Sequence, residues 1–172
     1  MKEYHKINSV FKRDDRGKFT SEFSCPEFEY LRSNQWVWDE KVDGTNIRVH
    51  WDGNTVRLGG RTDAAQIYAP LIAVLQEMFP PSKFISTFDP GGEVTLYGEG
   101  YGAKIQKGGG NYNPTGVSFI LFDVRVGHWY LLRSDVEEIA QKMGVPVTPI
   151  VGGGTLDEAI SFTQKGFNEH VG

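Results

Sequence analysis

The sequence predicts an α+β fold, with antiparallel sheets flanked by helices. Three observations point there. The hydrophobic period switches between two and about 3.6 along the chain, strand-like segments come in hairpin-spaced groups, and helix-start signals cluster near the C-terminal end. Twenty-one glycines and eleven phenylalanines among 172 residues suit a β-rich protein with many turns.

Residues 1–34 mix charges with aromatic residues and show no sustained period, so they read as short segments on the edge of one domain. Residues 35–172 form the body of that domain. Trp36-Val37-Trp38, Ile47 to Trp51 and Val56 to Leu58 read as strands, with Asp52-Gly53-Asn54 as the turn between the last two. Ile67, Leu71, Ile72, Leu75 and Met78-Phe79 lie on one helical face, and Pro80-Pro81 is expected to end that helix. Glu93 to Tyr97 is a strand running into the glycine-rich stretch Gly98 to Gly102. Val117 to Val126, the most apolar strand, is expected at the centre of a sheet, and Trp129 to Leu132 pairs back after Gly127. Ser134-Asp135-Val136-Glu137 and Thr155-Leu156-Asp157-Glu158 both fit the capping box that opens a helix.

Composition excludes several classes. No apolar run reaches the roughly 18 residues needed to cross a bilayer, and the N-terminus lacks the apolar centre of a signal peptide. A single cysteine, Cys25, forbids an intramolecular disulfide and fits a reducing compartment, so the cytoplasm is expected. The net charge of −4 argues against nucleic-acid binding through bulk charge. Local basic patches remain: Lys12-Arg13 with Arg16 and Lys18, broken by Asp14-Asp15 and so read as a solvated loop, and Lys104 with Lys107. The sequence carries no sign of oligomeric state.

Glu40-Lys41-Val42-Asp43-Gly44-Thr45-Asn46 is the segment richest in chemistry. A lysine held before an Asp-Gly turn can act as a nucleophile toward the α-phosphate of a nucleotide once its amine loses a proton. Taken alone, Asp43-Gly44 reads as a hairpin or strand-end turn. Four further segments stand behind it. Arg61, after Gly59-Gly60, offers a bidentate clamp for phosphate or ribose, or is a solvated turn residue. Glu99 lies among glycines that permit close approach to a ligand, or in a flexible turn. Phe122 can stack on a purine, or serve the core. Lys104 and Lys107 suit a triphosphate or a nucleic-acid end, or are solvated.

In this order the segments resemble the covalent nucleotidyltransferase superfamily of DNA ligases, RNA ligases and capping enzymes. The resemblance is strongest to RNA ligases of the bacteriophage T4 RNA ligase 2 type. Glu40 to Asn46 matches the family's Glu-Lys-x-x-Gly-Thr-Asn nucleophile motif, and Arg61-Thr62 its Arg-Thr pair. Tyr97-Gly98-Glu99 with Ile105-Gln106-Lys107, and Phe122-Asp123, match two later segments. The resemblance implies the ATP-grasp-like nucleotidyltransferase fold of ligase adenylation domains. It also implies ATP and Mg²⁺ as cofactors and, as partner, RNA carrying 5′-phosphate and 3′-hydroxyl ends. It casts Lys41 as the adenylylated nucleophile, Glu40 and Asn46 as orienting groups, Arg61 and Glu99 as ribose or phosphate contacts, Phe122 as the adenine stack, and Lys104 and Lys107 as nucleic-acid contacts. No metal ligand is assigned.

One departure shapes the expectation. The family's Glu-Gly-x-Val segment and the lysine-bearing strand after it have no counterpart before Gly172. Glu169 precedes His170 rather than Gly, and Lys165 is no substitute for a strand lysine. The resemblance therefore implies a C-terminally incomplete adenylation domain, with weak or absent ligation by these 172 residues alone. A DNA ligase, a capping-type enzyme and a non-catalytic nucleotide- or nucleic-acid-binding remnant remain the alternatives.

Overall fold

The structure, a computed structural model, describes residues 1–166; Glu169 lies outside the described residues. In chain order the elements are β1 (Phe11–Arg13), β2 (Phe19–Phe23), α1 (Pro26–Tyr30), β3 (Trp36–Asp39), β4 (Thr45–Trp51), β5 (Val56–Gly59), α2 (Ala69–Met78) and α3 (Pro81–Thr87). There follow β6 (Val94–Gly102), α4 (Gly109–Tyr112), β7 (Val117–Val126), β8 (Trp129–Tyr130), α5 (Arg133–Met143), β9 (Ile150–Gly154) and α6 (Leu156–Lys165). Among the described residues every ladder between named strands is antiparallel, in line with the α+β expectation.

The chain divides into two compact units. The larger holds residues 1–4 and 41–148. Its frame is a five-stranded sheet in the order β5-β4-β6-β7-β8. One face is apolar: Ile47, Val49, Trp51, Val94, Leu96, Phe119, Leu121 and Val124 pack with residues of α2, α3 and α5 such as Leu71, Leu75, Phe84 and Val136. Period-two alternation along β4 puts Asn46, Arg48 and His50 on the other face.

The sheet corrects two expectations. The central strand is β6, not the more apolar β7. The Gly98–Gly102 run continues β6 rather than ending it. The glycines are what the core needs there. A Cβ on Gly98 would sit 2.2 Å from the Phe119 ring, and one on Gly100 would sit 2.4 Å from Leu71 Cδ2. Core side chains fill the room that side chains on β6 would take.

Two helix starts also differ. Pro80-Pro81 ends α2, but Pro81 then opens α3, because a first-turn proline gives up an amide that has no helical partner anyway. Helix α5 begins at Arg133 with Leu132 as N-cap, and no side chain caps it, so the Ser134 capping box does not form. Arg133 pairs with Glu137 at 2.7 Å and donates to Thr148 Oγ1 at 3.2 Å, which draws the first turn forward.

The smaller unit holds residues 5–40 and 149–166 of the described chain. It contains the β1–β2 hairpin and the β3–β9 pair. The basic patch of the hairpin is a tied turn: Arg16 and Lys18 amides donate to Asp14 Oδ1. Trp38 packs on Phe162 of α6 at 5.6 Å. The Thr155 capping box is formed, with Glu158 N donating to Thr155 Oγ1 and Thr155 N to Glu158 Oε2. Lys165 is the last helical residue of α6. No helix among the described residues is long and apolar enough to cross a membrane.

Candidate functional site

Lys41 is an exposed residue in the loop between β3 and β4. Those strands pair with different partners, so Asp43-Gly44 is not a hairpin turn. Three consecutive residues after the lysine hold the loop in place. Val42 is buried in a small cluster with Tyr101, Tyr112 and Ile120. The Asp43 carboxylate accepts a hydrogen bond from Gly108 N at 3.0 Å. The Gly44 backbone amide faces the Glu99 carboxyl and favours its charged form. Gly44 has no room for a side chain, since a Cβ there would lie 2.2 Å from Gly100 O and 2.9 Å from Glu99 Cγ. The flexible lysine thus stands on a rigid base.

Glu99 sits directly across the ladder from Asn46. Opposite residues in a sheet share a face, so both side chains project on the side away from the apolar core. Burial pushes the Glu99 carboxyl up to about 7, with Lys41 opposing the shift, Asp43 adding to it and the Gly44 amide opposing it. Removing a carboxyl from water favours its neutral form, and the nearby ammonium only partly offsets that. Asn46 contributes a second unusual group: its Oδ1 is buried and has no hydrogen-bond partner. An unpaired buried acceptor costs about 1–3 kcal/mol, so such an atom marks a place where a donor belongs.

Arg61 is exposed in the turn after β5. Gly60 brings that turn against the strand, because its Cβ position lies 3.8 Å from Asn46 O. Phe122 is half-buried at the register shift in β7, where an extra residue enters the strand opposite Tyr97-Gly98. Its ring meets that of Tyr4 at 5.0 Å, nearly edge-on. Lys104 and Lys107 are exposed in the loop after β6, the loop that Asp43 pins through Gly108. Lys104 and Gln106 hold left-handed backbone angles, φ 67° and 54°, uncommon for residues with a Cβ.

The larger unit thus carries Lys41, Asn46, Arg61, Glu99, Lys104, Lys107 and Phe122. Lys41, Asn46, Glu99 and the Lys104–Lys107 loop are joined through Asp43, Gly44 and the β4–β6 ladder. Glu40 is buried and belongs to the smaller unit, where its amide donates to Pro149 O.

Sequence reasoning missed what four residues contribute. Asp43 was legible only as half of a turn. Tyr4 had no periodic signal around it, yet its ring also lies 5.0 Å from Tyr97, and its hydroxyl donates to Asp123 Oδ2 at 3.0 Å. Tyr97, whose phenol burial and nearby Tyr130 push up to about 12, donates to Lys2 O. Arg48 read as an ordinary outward position of a half-buried strand, but it is fully buried.

Among the described residues, no three His, Cys, Asp or Glu side chains converge on a cation site. A groove of about 730 Å³ lined by Val56, Leu58, Ile67, Leu75 and Phe79 has no ionisable lining residue and stands apart from Lys41.

The family model for RNA ligase matches residues 34–170. No match is found among curated proteins. Solved structures of Naegleria gruberi RNA ligase share the fold. A lysine-to-alanine mutant with ATP and Mn aligns with a TM-score of 0.64 at 17% identity, covering 79% of this chain and 43% of that one. A mutant with AMP and Mn aligns at 0.64 and 18%, covering 80% and 43%. The same ligase with PPi aligns at 0.61 and 18%, covering 90% and 50%. The chain spans half or less of the length of these ligases.

Proposed function

This chain belongs to the RNA ligase family, and from that premise we propose that its larger unit forms a covalent lysyl-AMP and passes the AMP to an RNA 5′-phosphate. Lys41 Nζ, having lost a proton to solvent, attacks the α-phosphorus of ATP. A P–N bond forms, the bond to the bridging oxygen breaks, and pyrophosphate leaves. An oxygen of the RNA 5′-phosphate then attacks the same phosphorus and releases the lysine. In the sealing step a 3′-hydroxyl displaces AMP.

The observation that carries this reading is the juxtaposition of an anchored Lys41 loop with two underused polar groups, the raised Glu99 carboxyl and the unpartnered Asn46 Oδ1. Ribose hydroxyls are donors that both groups lack. Glu99 takes the ribose, and Asn46 orients the adenosine and phosphates. Arg61 holds ribose or phosphate, Phe122 stacks on adenine, and Lys104 and Lys107 meet phosphates of the nucleotide or the RNA end. The described residues supply no three-ligand cage, so Mg²⁺ would be held largely by phosphate oxygens, which suits an ion that keeps few protein ligands. When bound, it would neutralise charge on the departing pyrophosphate. The mutants of the Naegleria ligase bound to ATP or AMP with Mn support the choice of nucleotide and of a divalent ion. The cytoplasm is the proposed compartment, where ATP and RNA are both available.

The test is incubation with ATP labelled at the α-phosphate, plus Mg²⁺, followed by denaturing electrophoresis. The protein should retain label, lose it in Lys41→Ala, and take up none from γ-labelled ATP. An unlabelled wild-type protein that still binds ATP would make the chain a nucleotide-binding module instead.

A further inference from the structure

Arg48 lies two residues along β4 from Asn46, on the same face, and none of its side chain is exposed. Its Nε donates to Gly60 O at 2.6 Å, Nη1 to Met1 O at 2.9 Å and Nη2 to Asp63 Oδ1 at 2.9 Å. The Asp63 side chain is 68% exposed, so the ion pair is buried on one side only. A buried guanidinium is a poor way to gain stability, because losing hydration costs several kcal/mol that the pairing must recover. An aliphatic residue would cover the sheet more cheaply. What an aliphatic residue lacks is the planar fork, which can hold several separate acceptors in one rigid geometry.

Those acceptors belong to two segments far apart in sequence. Gly60 O and Asp63 bracket Arg61. Met1 O begins the segment that ends at Tyr4, and Lys2 O is held by the Tyr97 hydroxyl at 3.1 Å. Tyr4 in turn packs its ring against Phe122 and Tyr97. The guanidinium therefore stands between the turn that presents Arg61 and the segment that braces Phe122.

We infer that Arg48 is a positioning residue that sets both ends of the nucleotide site, the Arg61 turn and the Tyr4-braced Phe122, before ATP binds. This role rests on the nucleotide reading given above. Arg48 acts through other groups and does not touch the nucleotide.

Arg48→Lys tests this, since lysine keeps the charge but cannot fork. Hydrogen exchange on the free protein should accelerate together at residues 60–63 and 2–4. In equilibrium dialysis the ATP dissociation constant should rise about tenfold, equivalent to ~1.4 kcal/mol. In an Arg61→Ala background, the same Arg48→Lys change should cost well under its full factor, because part of what it disturbs is already gone. Asp63→Asn keeps an acceptor for the fork and should bind ATP close to the wild-type level.

Three results would overturn the inference. These are exchange unchanged in either segment, faster exchange with ATP affinity unchanged, or full multiplication of the two effects in the double variant. If the wild-type protein itself takes up no ATP, the nucleotide reading fails and Arg48's role with it. If the wild type binds and Arg48→Lys binds equally well, only the role of Arg48 fails.

Discussion

Ile47, Val49 and Trp51 leave β4 on one side of the five-stranded sheet, and Asn46, Arg48 and His50 leave it on the other. The first set is buried among apolar side chains. Much of the second set is buried too, but its atoms are polar. His50 Nδ1 lies 3.0 Å from Thr95 Oγ1, and burial lowers its pKa. Arg48 is held by three acceptors, while Asn46 Oδ1 has no partner. Apolar burial stabilises a fold without further conditions, whereas polar burial does so only when every group is paired. The first face accounts for why the sheet exists. The second is where the fold leaves the Asn46 oxygen unpaired, and that is why the proposed nucleotide site is placed there.

The contrast is open to direct attack. The largest effect should come from the apolar face. Phe119 fills the space beneath Gly98 and meets Phe79 edge-on at 5.2 Å. Phe119→Ala should cost about 3–5 kcal/mol of unfolding free energy, measured by urea titration. The protein that stays folded should keep its ATP affinity, and a parallel loss of affinity would show that the faces are not separable.

Glu99→Gln should behave in the opposite way. The folded carboxyl titrates near 7 instead of the usual 4.5. The fold therefore prefers the protonated form. Stability is greatest below about 4.5, declines as pH rises toward 7, and is flat above. Glutamine cannot ionise, so the variant should lack this decline and exceed the parent by about 2–3 kcal/mol at pH 8, while incorporating less AMP. Thermal denaturation across pH 4 to 8 checks this, and parallel profiles for the two proteins would refute it.

The smallest change in stability is expected for Asn46→Ala. Removing an unpaired buried amide oxygen should be neutral or stabilising by about 1 kcal/mol, while ATP affinity falls about tenfold. A clear loss of stability would mean that the oxygen is satisfied in solution, and the case for a missing donor would weaken.

The candidate site was legible to different depths. Lys41, Asn46, Arg61, Glu99 and Phe122 stood out because their residue types and order carry chemistry that survives without a structure. Their supports did not. Gly44 and Gly98 look like turn or loop residues in sequence, yet each is required because a neighbouring strand or ring occupies the place of its Cβ. The capping box at Thr155 forms while the similar one at Ser134 does not. Arg133 has partners in Glu137 and Thr148, and these outweigh a local cap. Local patterns are reliable until a distant residue offers more.

By itself the sequence determined the α+β class, the strand face that is apolar, and the lysine on which the proposed chemistry turns. These depend on hydrophobic period and on residue type, which are local properties. Only the tertiary structure decided that Asp43 ties the lysine loop to Gly108, that Tyr4 reaches Phe122 from the far end of the chain, and that Arg48 is buried between them. Those contacts join residues 47 to 118 positions apart, and no pattern within a strand or helix encodes which distant acceptor will arrive.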